Sequence, residues 1–142
     1  MIRSFWIASI ISLMLGLAST SNAAQIRIQF LNGKNGKPIA KTNVVVNNIT
    51  THKLVGILRT DGRGFVSIDV DRRSQIEALV ERSFHQTCNP NKDKYQSYSA
   101  EQILSQGIVE PNECGATLPP PTPGTLVRVF RRSTFIEALR GN

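Results

Sequence analysis

The strand pattern that decides the fold of this chain is clearest in residues 25–30, QIRIQF. Polar and apolar side chains alternate along this stretch, so that Ile26, Ile28 and Phe30 share one face. A period of two residues is typical of a β-strand with one buried and one solvated face. The stretch therefore predicts a half-buried strand.

Further stretches of the same character are separated by residues that favour turns. The Asn-Gly pairs at residues 32–33 and 35–36 indicate tight turns, because both residue types tolerate positive φ. Residues 61–64, Asp-Gly-Arg-Gly, predict a hairpin turn. Residues 76–80 fit a strand or a helix, and their alternation favours a strand. We expect strands at residues 26–30, 44–46, 54–58, 65–70, 76–80 and 126–130.

Two short helices are predicted in the second half of the chain. A serine or threonine followed three residues later by glutamine or glutamate has the spacing of a capping box, and this pattern occurs at Ser99 and at Thr134. Gly107 and Gly141 are placed to end the two helices, the first of them in the left-handed conformation. We expect a helical insertion at about residues 99–107 and a C-terminal helix at about residues 134–140.

The proline-rich run at residues 119–123 predicts a stiff, extended connector. Only 19 residues follow it, too few to fold alone, so we expect it to lead back to a closing strand of the same domain. Residues 89–97 are polar and predict a surface loop. Six short strands with two small helices predict a mainly β fold, an antiparallel β-sandwich with a helical insertion.

The first residues have the features of a secretory signal peptide. Arg3 precedes an apolar stretch at residues 5–18. As a helix that stretch would span about 21 Å, less than the roughly 30 Å core of a bilayer. Small residues then lead to a cleavage site after Ala23 or Ala24, which predicts a signal peptide at residues 1–23 and a secreted or periplasmic protein. A retained membrane anchor and a buried helix of the fold are the alternatives.

Removal of the signal peptide leaves residues 24–142 as a single domain with one modest core and no transmembrane segment. The loss of Arg3 lowers the net charge from +7 to +6. In an oxidising compartment, Cys88 and Cys114 are expected to form a disulfide, whose loop closure stabilises the fold by about 3.5 kcal/mol in the chain-entropy treatment. A free nucleophilic thiol and metal ligation are the alternatives, but two thiols without a nearby histidine pair make a poor zinc site.

Basic residues are concentrated towards the C-terminal end of the chain. Arg128, Arg131, Arg132 and Arg140 form a possible basic patch. Such a patch can bind anionic polymers or membrane headgroups, and scattered solvated charge is the alternative. Because only Phe130 and Phe135 lie among these arginines, there is little aromatic surface for stacking, and nucleic acid is not an expected partner.

Two segments resemble a known domain family. Residues 36–46, GKPIAKTNVVV, place Gly-x-Pro before a valine-rich strand, and residues 60–65, TDGRGF, place Thr-Asp-x-x-Gly-aromatic before another. Residues 26–70 thereby resemble the carboxypeptidase-regulatory-like domains, which have the prealbumin-like (transthyretin-like) β-sandwich fold. The resemblance implies an accessory or binding module, usually without catalysis. Residues 85–142 resemble the tail of small uncharacterised exported bacterial proteins.

The sequence lacks the patterns that carry catalysis in known folds. The hydroxyisourate hydrolases, an enzymatic branch of the prealbumin-like fold, end in Tyr-Arg-Gly-Ser, whereas residues 137–142 here are EALRGN. Phosphate loops, dinucleotide fingerprints and the HExxH zinc pattern are absent from the sequence as well. His52 is expected to be a solvated turn residue. Cys88 and His85 could act as nucleophile and base only if the thiol were free.

We therefore expect an exported, non-catalytic β-sandwich module that makes contacts with a protein or with the cell surface, and we expect no cofactor, metal or catalytic residue. One alternative is a small secreted hydrolase with an unrecognised site. Another is a cationic binder of anionic envelope polymers. Affinity that falls steeply with salt would separate the cationic binder from the first interpretation.

Overall fold

The computed structural model describes residues 22–81, 86–90 and 95–140. The predicted signal peptide lies outside these residues except for Asn22 and Ala23. Within the described ranges the chain forms nine strands and two short helices. In chain order they are β1 (Ala23–Asn32), β2 (Asn43–Asn48), β3 (Lys53–Arg59), β4 (Phe65–Asp71), β5 (Gln75–Val80), β6 (Gln86–Thr87), β7 (Ser97–Ser99), α1 (Ala100–Gln106), β8 (Ile108–Val109), β9 (Thr125–Arg131) and α2 (Phe135–Leu139).

The strands form two sheets, and the predicted mainly β sandwich with two short helices is confirmed. In sheet A the strand order is β4-β1-β9-β6, and β8 also pairs with β9. In sheet B the order is β3-β2-β5-β7, and all of its pairs are antiparallel. The six strands expected from the sequence are all present, each extended by one or more residues.

Alternating apolar side chains from both sheets form the main core. Ile26, Ile28 and Phe30 of β1 are fully buried, and the buried residues of β2, β4 and β5 also occupy alternate positions. Burial of one such side chain contributes about 1.5–3 kcal/mol. Because successive side chains of a strand point to opposite faces, the residues between them form the outer faces of the sandwich.

The last strand, β9, lies in the interior of sheet A and runs parallel to its neighbour β1. The expected closing strand is present, but the sequence predicted an antiparallel sandwich, so the parallel direction of β9 is a correction. A parallel pair requires a long connection, and residues 33–124, which include β2 to β8 and α1, separate β1 from β9. β9 is buried on both faces, because the outer residues Val127 and Val129 pack with Leu31, Cys88 and neighbouring side chains in a second apolar cluster.

Residues 61–64 do not form the predicted hairpin. β3 belongs to sheet B and β4 to sheet A, so this turn carries the chain from one sheet to the other. The Asp61 carboxylate accepts hydrogen bonds from the backbone N–H groups of Arg63 and Phe65 at 2.8 and 2.9 Å, which tightens the turn. β4 then pairs with β1, and Phe65 lies opposite Gln29.

Helix α1 begins at the predicted cap and ends at the predicted glycine. The Ser99 hydroxyl accepts a hydrogen bond from the backbone N–H of Gln102. Gly107 has φ 74° and ψ 159°, so its φ is positive as predicted, but its backbone is extended and not left-handed helical. A Cβ atom at Gly107 would overlap the carbonyl oxygen of Thr122, so only glycine lets the chain after the proline run approach α1 this closely.

Candidate binding groove

The outer face of sheet A carries a ladder of side chains on three neighbouring strands. The odd-numbered residues of β1 face outward, since the even-numbered ones fill the core. Gln29 lies between Phe65 of β4 and Val127 of β9. Arg27 lies one rung away, opposite Thr125 of β9. These residues form the floor and one side of a surface groove.

Residues 119–123, which we call the proline segment, form the opposite side of the groove. Their position is fixed at the C-terminal end, where the N–H of Gly124 donates to the carbonyl oxygen of Ile103 in α1 at 2.7 Å. The N–H of Thr125 donates to the carbonyl oxygen of Thr122 at 3.0 Å. The close packing at Gly107 holds the same part of the chain, so the groove has one wall from a sheet and one from a braced, extended segment.

The groove has a volume of about 380 Å³. Its base is apolar, with the nearly buried side chains of Leu31 and Val127, and the rings of Pro38, Pro119 and Pro120 also line it. The described residues that line it include no histidine, cysteine, aspartate or glutamate. The groove therefore offers shape, apolar area and positive charge, and its lining residues do not supply an acid–base pair.

Two arginines lie beside the ring of Phe65 at the sheet side of the groove. The Arg27 Cζ atom is 4.0 Å from the ring centroid and the Arg63 Cζ atom is 5.8 Å from it. Cation–π contacts at these distances contribute about 0.5–1 kcal/mol each at exposed sites. Within the described part of the chain, neither guanidinium group lies within 4.0 Å of an aspartate or glutamate oxygen. Their charges are therefore not neutralised by an ion pair there.

The nearest turn carries one carboxylate, Asp61, which is held by its own backbone. Hydrogen bonds from the backbone N–H groups of Phe65 and Arg63 lower the pKa of Asp61, and the charges of Arg63 and Lys41 act in the same direction. Asp61 thus stays ionised while fixed in the turn. This arrangement leaves the donor groups of Arg63 able to bind an anion.

Arg128 is not part of a surface patch, contrary to the sequence-based prediction. It is 0% exposed and lies inside the sandwich, because the even-numbered residues of β9 face the core. Its Nε donates to Oε1 of the buried Glu110 at 3.0 Å, and its Nη1 donates to the carbonyl oxygen of Ala78. The second carboxylate oxygen of Glu110 accepts the N–H of Val129 at 2.8 Å, and the Tyr98 hydroxyl donates to Oε1.

This buried cluster connects the two sheets. Arg128 comes from sheet A, whereas Tyr98 and Ala78 come from sheet B. The Arg128 guanidinium also lies 5.4 Å from the Tyr98 ring centroid. Burial, and then the charge of Glu110, raise the pKa of Tyr98 well above its usual range. Each buried polar side-chain atom of the described residues has a hydrogen-bond partner, so we interpret the cluster as a structural cross-link.

The remaining members of the predicted basic patch have different surroundings. Arg131 forms a two-bond ion pair with Glu137 of α2, with N–O distances of 2.7 and 2.9 Å. The hydrogen bonds from Arg131, and then from the backbone N–H of Thr134, lower the pKa of Glu137 to about 2. Arg132 and Arg140 are exposed. The four arginines therefore do not make one surface.

Cys88 and Cys114 form a disulfide, with Cα atoms 5.5 Å apart. Cys88 is nearly buried beside Gly33, and its thiol is consumed by the bond, which removes the nucleophile from the Cys88–His85 alternative. His85 itself lies outside the described residues. His52 is exposed in the turn between β2 and β3, as predicted.

Sequence reasoning missed the pairing of Arg27, Arg63 and Phe65. The alternation in β1 already placed Arg27 on the outer face, and that was the available signal. Their meeting depends on the pairing of β1 with β4, which no local pattern specifies. The proline segment was predicted as a connector, and its second role as a groove wall follows from its packing against α1.

Comparison of the sequence with protein-family models and with curated proteins finds no match. Among the described residues, no group of three or more histidine, cysteine, aspartate or glutamate side chains is arranged to hold a metal ion. None of the helices in those residues has the length and apolar character needed to cross a membrane.

Proposed function

We propose that this protein is an exported, non-catalytic β-sandwich module that binds a partner protein through the groove on sheet A. The observation that carries the proposal is the pair of arginines beside Phe65, which have no carboxylate partner within 4.0 Å among the described residues. Two guanidinium groups held at the side of an apolar groove are suited to binding a carboxylate.

The composition of the groove favours an acidic peptide segment over a polysaccharide or a nucleic acid. The exposed rings of Pro38 and of the proline segment offer apolar area that a highly charged polymer would leave uncovered. Extended segments rich in proline bind in grooves lined by aromatic and apolar residues. We therefore propose an extended ligand in which carboxylates alternate with apolar side chains.

The alternatives from the sequence have less support. The cationic-polymer interpretation depended on a patch that included Arg128, which is buried. A hydrolase would need a reactive group in its binding site, and the described lining residues of the groove offer only the hydroxyl groups of Thr122 and Thr125. The proposed membership of the carboxypeptidase-regulatory-like, prealbumin-like family is compatible with a binding module. Export is supported by the signal-peptide pattern together with the disulfide.

A peptide of alternating glutamate and proline residues, labelled with fluorescein, tests the proposal. It carries the required charge and apolar rings, and its prolines favour the polyproline II conformation and remove every second backbone N–H group. Fluorescence anisotropy should show binding that weakens only moderately between low and physiological salt, because two arginines carry the charge, whereas a cationic binder of polymers would weaken steeply. A peptide of the same length that alternates lysine and proline is the matched control and should not bind.

Substitution of Arg27→Gln together with Arg63→Gln should weaken binding of the glutamate–proline peptide at least tenfold. Arg73→Gln, in the turn after β4, removes one exposed cation elsewhere and should leave binding unchanged. Equal affinity for the two peptides, or equal binding by the groove variant and the wild-type protein, would contradict the proposal.

A further inference from the structure

Strand β3 forms an edge of sheet B, and among the described residues it pairs only with β2. An edge strand presents a row of backbone N–H and C=O groups to which another extended chain can bind. The side chains of this edge are apolar as well as exposed: Leu54 is 57% exposed and Ile57 is 60% exposed. The edge thus combines hydrogen-bonding capacity with apolar area.

A cleft of about 310 Å³ lies beside this edge, lined by Val55 and Leu58 of β3 and by Ser67, Ile68 and Asp69 of β4. β4 is the edge strand of sheet A, so the cleft opens where the edges of the two sheets approach each other. A strand added to β3 would extend sheet B across this cleft. Its inward side chains would then cover the apolar lining.

The charges of β3 decide which kind of strand can bind. Lys53 and Arg59 are exposed at its two ends. A second copy of the chain, paired antiparallel about Gly56, would bring Lys53 of each copy towards Arg59 of the other, and like charges in facing positions are destabilising. A partner with an acidic residue near each end has the complementary pattern. Asp69 in the cleft disfavours an acidic residue at the centre.

A β-bulge sets the length of the edge that is available. The register of β2 and β3 shifts between Gly56 and Leu54, which leaves Val55 as the extra residue. A bulge increases the local twist, so the longest regular edge is Gly56–Arg59 with a shorter piece beyond the bulge. An added strand is therefore expected to be short.

We propose that β3 is the docking site for a short extended segment of a partner protein, with apolar residues at its centre and an acidic residue at each end. The segment binds by strand addition, and it occupies the cleft between β3 and β4. This site lies at the edge of sheet B and is separate from the groove on sheet A.

The probe is a capped seven-residue peptide with glutamate at each end and alternating valine and threonine between them. We expect it to bind the wild-type protein, measured by isothermal titration calorimetry. Two versions carry N-methyl groups, each on alternate residues along one edge of the peptide. An added strand uses the N–H groups of one edge only, so one version should bind and the other should not.

Charge exchange tests the recognition of the ends. The double variant Lys53→Glu with Arg59→Glu should bind the glutamate-ended peptide at least tenfold more weakly and a lysine-ended peptide at least tenfold more tightly than wild type. Circular dichroism and the unfolding midpoint show whether the variant is folded. As a second variant, Ile57→Ser keeps both charges and should also weaken binding, because it removes apolar contact area.

Three results would overturn the inference. One is equal binding of both N-methylated peptides, which would show that backbone pairing is not used. Another is retained affinity in the charge-exchanged variant. The third would come from light scattering: the wild-type protein is a dimer, Lys53→Glu with Arg59→Glu leaves the dimer intact, and Ile57→Ser dissociates it. The occupant of the edge would then be a second copy of the chain. The groove variant with Arg27→Gln and Arg63→Gln should bind the strand peptide normally, so each proposal can fail separately.

Discussion

Glu110→Ala removes the carboxylate at the centre of the buried cluster. In the wild-type protein this carboxylate receives hydrogen bonds from Arg128 at 3.0 Å, from the N–H of Val129 at 2.8 Å and from the Tyr98 hydroxyl. The substitution leaves the Arg128 charge inside the sandwich, where its side chain is 0% exposed. The carbonyl oxygen of Ala78, to which the guanidinium also donates, carries no charge.

The expected loss of stability is about 3–5 kcal/mol, which is the cost of breaking a buried ion pair by removing one partner. The double variant Glu110→Leu with Arg128→Met removes both charges of this buried ion pair. In both variants the Val129 N–H and the Tyr98 hydroxyl lose this acceptor, at about 1–3 kcal/mol for each group, but only Glu110→Ala also leaves the Arg128 charge without its carboxylate. The double variant should thus be more stable than Glu110→Ala.

Urea unfolding followed by far-UV circular dichroism, with the disulfide intact, measures these differences. The matched control is Glu101→Ala, which removes the partner of Arg72 from an ion pair at 3.7 Å whose side chains are 60% and 52% exposed. That change should cost at most about 1 kcal/mol. The interpretation of the cluster as a structural cross-link is refuted if Glu110→Ala and Glu101→Ala cost the same, or if the double variant is less stable than Glu110→Ala.

Three further predictions concern other parts of the fold. Because burial raises the pKa of Tyr98, the folded state keeps a proton that the unfolded state releases above pH 10.0. The free energy of unfolding should therefore fall above that pH by up to about 1.4 kcal/mol per pH unit, and Tyr98→Phe should remove the contribution of this residue to the fall. The carboxyl carbon of Glu137 should titrate in NMR near pH 2, and Arg131→Gln should move its midpoint up towards 4.5. Gly107→Ala should lower stability by roughly 1–3 kcal/mol in urea unfolding, whereas Gly62→Ala, with open space at its Cβ position, should have little effect.

The sequence predicted the long strands well because one face of each is buried. The alternation in β1 and β4 arises because one face of each strand contacts the core. Apolar residues therefore recur at every second position, which is visible in the local sequence. β6, β7 and β8 have only two or three residues each, and no period can be detected in so short a stretch. They exist because neighbouring strands offer backbone partners, which is information from elsewhere in the fold.

Strand pairing and the burial of charge were the parts that local patterns could not specify. The turn at residues 61–64 was identified, but whether it joins paired strands depends on β4 finding β1. Arg128 was assigned to the surface because arginine is rarely buried. Its even-numbered position between Leu126 and Phe130 already placed it on the core-facing side of β9. The carboxylate of the buried Glu110, 18 residues earlier, compensates the arginine charge there.

We propose that the groove beside Phe65 is the surface through which this protein binds a partner protein. The most direct test is a ¹H–¹⁵N NMR titration of the ¹⁵N-labelled protein with the glutamate–proline peptide. We predict that the largest shifts occur at Arg27, Gln29, Arg63 and Phe65, including the side-chain Nε–H groups of the two arginines, and that β3 does not respond. Shifts confined to other surfaces, or no shifts at peptide concentrations that saturate the anisotropy signal, would contradict the account.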